Sequence, residues 1–222
     1  MYKPISLTTN TSAKWKLAQN LELKWWKNYL KNKDRNQYLE WKCNYWSKFL
    51  FDIEKYVELP EHASILDIGC GPAGIFMNLK GNHVIAADSL MQQYVNNNLL
   101  SQEKFPWVQF EQLSMEALHY TEKFDYIFCL NAINHVNNIE KCYDNLYRAL
   151  KPNGFLIIST DAHKYHFLKK IFQWIPGDML HPVQLDIHEY LTYLTSRNMT
   201  ILDNSRYATE AIFDYYVTIA KK

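Results

Sequence analysis

The sequence of 222 residues lacks the features that mark several large classes of protein. No window approaches the roughly 18 consecutive apolar residues that a membrane-spanning helix needs, so we expect no transmembrane segment. The first residues contain no continuous apolar stretch, so we expect no secretory signal and predict a cytoplasmic location. The formal net charge is only +1, which gives the whole molecule no strong electrostatic attraction to nucleic acid or to a membrane surface.

Cysteine and histidine indicate neither a disulfide framework nor a metal centre. The four cysteines form no C-x-x-C motif, and Cys70 and Cys129 lie in apolar, strand-like runs, so we expect buried free thiols. Four histidines raise the hypothesis of a metal site: His163, His166, His181 and His188. No cluster of carboxylates or cysteines completes a ligand set, so we expect no metal.

Glycine is also scarce, but three of the six glycines stand within six positions. Gly69, Gly71 and Gly74 follow the apolar run Ile65–Ile68 and form a G-x-G-x-x-G motif. Gly69 permits a tight turn, Gly71 lets a ligand approach the backbone, and Gly74 lets a helix pack closely on the strand. The motif predicts a buried strand that runs through a turn into a helix.

Two acidic residues narrow the choice of cofactor. Asp88 lies nineteen residues past Gly69 at the end of a second apolar run, where a carboxylate can accept hydrogen bonds from both ribose hydroxyls of a nucleoside. Asp67 precedes Gly69 by two residues, where it would repel the pyrophosphate of a dinucleotide and attract the ammonium of a methionine-like tail. The pair favours S-adenosylmethionine (SAM) over NAD, so a nicotinamide-dependent oxidoreductase is the weaker alternative.

From residue 60 onward, strand-like and helix-like segments alternate. We predict strands at 64–68, 83–87, 106–112, 124–130 and 154–160, and helices at 74–80, 89–100, 138–150 and 186–198. Such alternation implies a parallel sheet with helices on both faces. The last two apolar runs, 199–203 and 212–220, are too close for a helical crossover and should be antiparallel. The prediction is a three-layer, Rossmann-like α/β fold with a seven-stranded, mostly parallel sheet, an antiparallel last strand pair and an N-terminal helical lid.

The N-terminal arm has a different composition. Apolar spacing predicts one helix from Ala13 and a second through Ile53, with a break at 32–36. Five of the seven tryptophans lie here, with nine basic residues between Lys14 and Lys48. We interpret the arm as a lid whose aromatic side chains pack on the sheet edge, with RNA or membrane contact as the alternative. We divide the chain into an arm (1–59) and a cofactor-binding domain (60–222) that together form one structural domain.

Four segments resemble the motifs of class I SAM-dependent methyltransferases of the small-molecule, type 11-like group: Leu66–Pro72, Ala86–Ser89, Phe124–Asn131 and Ala149–Leu156. The resemblance covers roughly residues 60–160, and the order of elements continues beyond it. It implies SAM as the cofactor and methyl transfer to an oxygen or nitrogen of a small molecule by in-line displacement. The cofactor-binding candidates are Asp67, Gly69, Cys70, Gly71, Asp88, Ser89, Ser114, Met115 and Asn131.

The segment Phe110–Leu118 departs from the family pattern. The family usually carries an acid two residues before Glu116, where it bonds the adenine amino group, but this sequence has Ser114. A hydroxyl can still accept that bond, and Met115 can line the adenine face. For the carboxylate of the methionine tail, we expect donors among the backbone amides of the glycine turn and the start of the following helix.

The acceptor pocket is predicted from the arm and from segment 161–185, which is long for a connection, rich in histidine and aromatics, and the place where the family builds a substrate lid. The acceptor-binding candidates are Trp25, Tyr38, His135, His163, His166, Trp174 and His181. His135 lies four residues after Asn131 and is the candidate general base that deprotonates an incoming hydroxyl or amine. The alternative for His135 is a structural role in fixing its loop.

The expected partner is a small-molecule acceptor rather than nucleic acid, and the sequence leaves monomer and homodimer open. Two other functions stay open at this point. One is an RNA methyltransferase that uses the basic, aromatic arm. The other is a SAM-binding partner protein without catalysis, which would bind the cofactor but show no turnover.

Overall fold

The computed structural model describes residues 13–163, 183, 185–209 and 213–222. The arm consists of helix α1 (Ala13–Leu30) and helix α2 (Arg35–Glu54), separated at the predicted break. Asp34 ends the break because its carboxylate accepts hydrogen bonds from the amides of Asn36 and Gln37, both at 2.9 Å, and so caps α2. No helix in the described ranges is long and apolar enough to cross a membrane.

The sheet has the predicted seven strands, which are β1 (Ser64–Ile68), β2 (His83–Asp88), β3 (Val108–Gln112), β4 (Phe124–Cys129), β5 (Leu150–His163), β6 (Thr200–Thr209) and β7 (Phe213–Lys221). Their order is β3-β2-β1-β4-β5-β7-β6. The first five strands are parallel, whereas β7 is antiparallel to both β5 and β6. The mostly parallel, Rossmann-like sheet with an antiparallel last pair is therefore confirmed.

Three helices fall within the predicted segments after the first strand: α3 (Met91–Asn96), α4 (Ile139–Ala149) and α5 (Ile187–Thr195). The prediction of a helix at 74–80 was wrong, because that stretch holds only a short 3-10 turn, Ile75–Asn78, which follows a first 3-10 turn at Gly71–Ala73. Between them Gly74 is extended, with φ −77° and ψ −178°. Helix α3 is shorter than predicted because Asn98 adopts a left-handed φ of 55°, which ends the helix.

The glycine turn after β1 is fixed by close contacts. Gly69 has a φ of +70°, and a β-carbon there would collide with the β-carbon of Ala132 in the loop after β4. A β-carbon at Gly74 would collide with the carboxylate of Asp67, which lies buried beneath the turn. Asp67 Oδ2 accepts a hydrogen bond from the amide of Phe76 at 3.1 Å, and this bond holds the chain in turns instead of a helix.

The sheet separates two apolar cores. Successive residues of a strand point to opposite faces, so Ile65 enters the core covered by α1 to α3, whereas Leu66 enters the core covered by α4 and α5. Phe49 of α2 is fully buried in the first core. The cysteines are free thiols, and all except the half-buried Cys43 are buried.

A pair of phenylalanines on α2 tests whether the arm and the sheet unfold as one unit, as the single-domain prediction requires. Phe49 is 0% exposed and Phe51 is 74% exposed. Phe49→Ala should lower the free energy of unfolding by about 3–5 kcal/mol, because it leaves a cavity in the shared core. Phe51→Ala, the matched control, should stay within about 0.5 kcal/mol of wild type. Urea unfolding followed by tryptophan fluorescence measures both values, and equal stability of the two variants would contradict a shared core.

The buried Asp67 predicts a dependence of stability on pH. Burial raises the pKa of the Asp67 carboxyl to about 7 from 3.8, against the lowering effect of the Phe76 amide. The folded protein then holds a proton that the unfolded chain releases between these values, so the free energy of unfolding falls as pH rises through this window. Asp67→Asn removes that contribution, worth roughly 1.4 kcal/mol for each pKa unit of the shift.

Urea unfolding at about pH 5 and about pH 8 checks this expectation. Wild type should lose more stability between the two conditions than Asp67→Asn does. Glu54→Gln, which changes an exposed carboxylate at the end of α2, serves as the control and should follow wild type. The role assigned to Asp67 is refuted by an Asp67→Asn variant that keeps the full wild-type pH dependence.

Candidate active site

The candidate site lies where three neighbouring strands end. The glycine turn follows β1, Asp88 ends β2, and Asn131 follows β4. Because β1 lies between β2 and β4 in a parallel sheet, these groups meet at one edge. Two adjoining cavities open there, a small one of about 60 Å³ and a large one of about 410 Å³.

The small cavity gathers six of the nine cofactor-binding candidates: Gly69, Asp88, Ser89, Ser114, Met115 and Asn131. Its volume is well below the roughly 300–1,000 Å³ of ligand pockets. Helix α1 covers it, because Gln19 accepts a hydrogen bond from the hydroxyl of Ser89, and Trp15 and Glu22 also line it. A nucleoside can enter this cavity only if α1 shifts.

Asp88 is the buried acid of the small cavity. Its Oδ2 accepts a hydrogen bond from the amide of Gly71 at 2.9 Å, and its Oδ1 accepts one from the amide of Leu90 at 2.8 Å. Burial raises the pKa of the Asp88 carboxyl, against the lowering effect of the Leu90 and Gly71 amides. Each carboxylate oxygen can accept a second bond, so Asp88 keeps acceptor capacity for a ribose diol.

The large cavity is walled by six aromatic side chains of the arm: Trp25, Trp26, Tyr29, Tyr38, Trp41 and Trp46. The rings of Trp25 and Tyr29 stack with centroids 4.9 Å apart, and Trp46 donates a hydrogen bond from Nε1 to the carbonyl of Ala73 at 3.0 Å. That bond attaches the aromatic wall to the glycine turn. The floor is Gly69–Gly71, Ala73, Leu130 and Asn131.

Two charged side chains project into this aromatic surrounding. Lys42 Nζ lies 4.9 Å from the ring centroid of Trp46, and burial lowers the pKa of Lys42 to about 8 although Asp67 opposes the shift. Burial, followed by the nearby Asp88, raises the pKa of Glu22 to about 7, while hydrogen bonds from Tyr94 and Trp26 lower it. The site thus contains one ammonium and two carboxyl groups in a partly dry environment.

His135 ends a short 3-10 turn (Ile133–His135) and lines both cavities. The loop that carries it is tied to neighbouring elements. Asn134 donates from Nδ2 to the carbonyl of Asp161 at 3.0 Å, and the amide of Asn131 donates to Ser159 Oγ at 2.8 Å. These bonds hold His135 where the two cavities meet.

The structure brings together part of the predicted set. Trp25, Tyr38 and His135 line the large cavity, as do Cys70 and Gly71. Asp67 lines neither cavity, because its carboxylate faces the turn that contains Phe76. His163 ends β5 with a side chain outside the described residues, and His166, Trp174 and His181 also lie outside them. The same described ranges contain no group of three or more histidine, cysteine or acidic side chains that could hold a metal ion.

Sequence reasoning missed six residues of the arm that line the large cavity: Glu22, Trp26, Tyr29, Trp41, Lys42 and Trp46. The tryptophans were assigned to a lid but not to a particular cavity. Glu22 did carry a signal, since it is the only acid in α1, a helix that holds four lysines. A lone acid in a basic helix that should cover a cofactor is a candidate for contact with that cofactor.

Comparison with known proteins agrees with the fold. Residues 66–158 match the methyltransferase domain family. A ubiquinone biosynthesis O-methyltransferase of Rickettsia akari is 35% identical over 98 residues, which are 43% of this chain and 39% of that protein. The corresponding protein of Rickettsia bellii is 29% identical over 158 residues, 67% of this chain and 62% of its own length. The chain thus spans less than two thirds of these curated relatives.

A solved structure covers the whole chain. It is the 1,6-didemethyltoxoflavin-N1-methyltransferase of Burkholderia thailandensis with bound 1,6-didemethyltoxoflavin and S-adenosylhomocysteine. It superposes with a TM-score of 0.63 at 17% identity and covers 100% of this chain and 98% of that chain, which supports the fold. Residues 66–158 thus match the methyltransferase domain family, and the strand order and the superposed structure support the same fold.

Proposed function

We propose that the protein transfers the methyl group of SAM to a hydroxyl oxygen of an aromatic small molecule. The observation that carries this proposal is the junction of the two cavities. Gly69, Asn131 and His135 line both the small cavity, which we call the cofactor cradle, and the large, aromatic-walled cavity. A cofactor in the cradle would present its methyl group to a ring held by the arm. The Rickettsia relatives, named as O-methyltransferases of ubiquinone biosynthesis, favour oxygen as the acceptor atom.

The cofactor would span both cavities. The adenosine would lie toward Asp88, Ser89 and Met115, and the methionine tail over the turn from Gly69 to Gly71. The amides of Ile75 and Phe76 cannot serve the tail carboxylate as expected, since they donate to the carboxylate of Asp67. Lys42, the lysine that lines the large cavity, supplies the positive charge instead.

The acceptor would lie between the aromatic side chains of the arm. Stacking on rings such as Trp25 and Tyr29 suits a planar aromatic ring. Methyl transfer is an in-line displacement, so the protein mainly aligns the two reactants and excludes water. His135 would take the hydroxyl proton as the oxygen attacks the methyl carbon, and the sulfur would leave as neutral S-adenosylhomocysteine.

The RNA alternative is weaker because the arm turns its aromatic side chains toward the site. Tyr38 and Trp46 are buried, and Trp26 lies against Gly71. Trp25 and Trp41 are partly exposed but still line the large cavity. Rings arranged around one cavity fit a small acceptor better than a strand of stacked bases, which needs an extended groove.

Calorimetry with S-adenosylhomocysteine and NAD tests the cofactor assignment. Wild type should bind S-adenosylhomocysteine and not NAD. Asp88→Ala should weaken that binding by about 10- to 100-fold, because ribose hydroxyls then lose a buried acceptor worth about 1–3 kcal/mol. Glu61→Ala removes an exposed acid in the turn before β1 and is the control with wild-type affinity. Binding of NAD in place of S-adenosylhomocysteine would overturn the proposed function.

An acceptor screen with simple phenols and catechols, read out as S-adenosylhomocysteine formed, tests the role of His135. His135→Gln should lower kcat by about 100-fold or more, the usual contribution of a general base, while S-adenosylhomocysteine affinity stays within about threefold of wild type. His188→Gln changes an exposed histidine of α5 and serves as the control. Unchanged kcat in His135→Gln would leave His135 with a structural role in its loop.

A further inference from the structure

Glu22 lies at the junction of the two cavities, which a cofactor bound in both would span. It lies on α1, outside the segment that matches the methyltransferase domain, yet its side chain lines both the small and the large cavity. Gly69, Asn131 and His135 share that property. With the adenosine on Asp88 and the methionine tail over the glycine turn, the sulfur of the cofactor falls at this junction.

The surroundings of Glu22 are unusual for a carboxylate. Asp88 of β2 places a second carboxyl group close to it, and the hydroxyl of Tyr94 of α3 donates a hydrogen bond to Glu22 Oε1 at 3.3 Å. The other charged or titratable groups on the elements around the two cavities are Lys42 and Tyr38 of α2, Cys70 of the glycine turn, Glu116 and His135. Two carboxyl groups withdrawn from water in one site are unfavourable unless a proton or a cation lies between them.

We propose that Glu22 binds the positive charge of the cofactor and makes α1 a lid that closes on SAM and opens on the product. This inference rests on the proposed function. SAM carries a sulfonium and an α-ammonium group, whereas S-adenosylhomocysteine keeps only the ammonium. A carboxylate at the sulfur therefore stabilises the substrate form of the cofactor more than the product form. Glu22 is then a specificity residue that assists product release.

The raised pKa of the Glu22 carboxyl agrees with this assignment. Burial and the neighbouring Asp88 raise the pKa of Glu22 to about 7, so Glu22 is protonated in a fraction of the protein molecules at neutral pH. An arriving cation favours the ionised form, so SAM binding should release a proton from this site. Binding of S-adenosylhomocysteine, whose sulfur is uncharged, should release fewer protons.

Three ligands that differ in charge at one position test the proposal: SAM, S-adenosylhomocysteine, and sinefungin, in which an ammonium-bearing carbon replaces the sulfonium. Glu22→Gln should weaken SAM and sinefungin by about tenfold and S-adenosylhomocysteine by about threefold or less, as expected for loss of a charge-assisted contact. Gln19→Ala is the matched control, since Gln19 is an uncharged residue of α1 that bonds Ser89. It should weaken all three ligands by one common factor.

The outcomes separate the two proposals. If wild type binds none of the three ligands, the proposed function fails. If wild type binds them and Glu22→Gln weakens all three equally, the assignment of Glu22 alone is overturned.

Should Glu22→Gln fold poorly, proton release by wild type tests the assignment of Glu22. Calorimetry at about pH 6.5 in phosphate and in a high-ionisation-enthalpy buffer should show more protons released with SAM than with S-adenosylhomocysteine, and equal release overturns the assignment.

Discussion

The contact between the buried Asp67 carboxylate and the glycine turn fixes the position of the other groups in the site. Gly74 lies so close to the Asp67 carboxylate that a residue with a β-carbon would not fit at position 74. The Phe76 amide donates a hydrogen bond to the same carboxylate. The turn so held brings the Gly71 amide to Asp88, and Gly69 lies against Ala132 after β4. The ends of three strands are thereby held together by hydrogen bonds from backbone amides to the Asp67 and Asp88 carboxylates and by the close packing of Gly69 against Ala132.

The arm attaches to this same turn. Trp46 bonds the carbonyl of Ala73, and Asn78 donates from Nδ2 to the carbonyl of Cys43 and to Ser47 Oγ at 3.0 and 2.7 Å. Helix α2 is therefore a fixed wall of the site. Helix α1 crosses the cradle, where Gln19 accepts a hydrogen bond from Ser89 and Glu22 accepts one from Tyr94. It is the element that must shift for a nucleoside to enter.

The sequence predicted the sheet well because strand runs, turn residues and motif spacing are local signals. It failed at 74–80, where Asp67 and Gly74 impose turns on residues whose own pattern favours a helix. The cradle residues were predictable from the motifs, and Glu22 carried a signal as the only acid of a basic helix, whereas Lys42 carried none. The places of Glu22 and Lys42 in the site depend on how the arm folds over the sheet, a long-range contact that local patterns do not fix.

The two halves of the site use different chemistry, and this has a consequence for specificity. The cradle depends mainly on backbone amides and on Asp88, with Gln19 and Glu22 of α1 also lining it. The walls of the large cavity belong almost entirely to α1 and α2, whose rings lower the local dielectric and strengthen the few charges present. Under the proposed function, substitutions of the arm's aromatic rings should alter the acceptor, whereas substitutions of Glu22 or Lys42 should also affect the cofactor. The aromatic rings and the charged side chains of the arm would then act on different reactants.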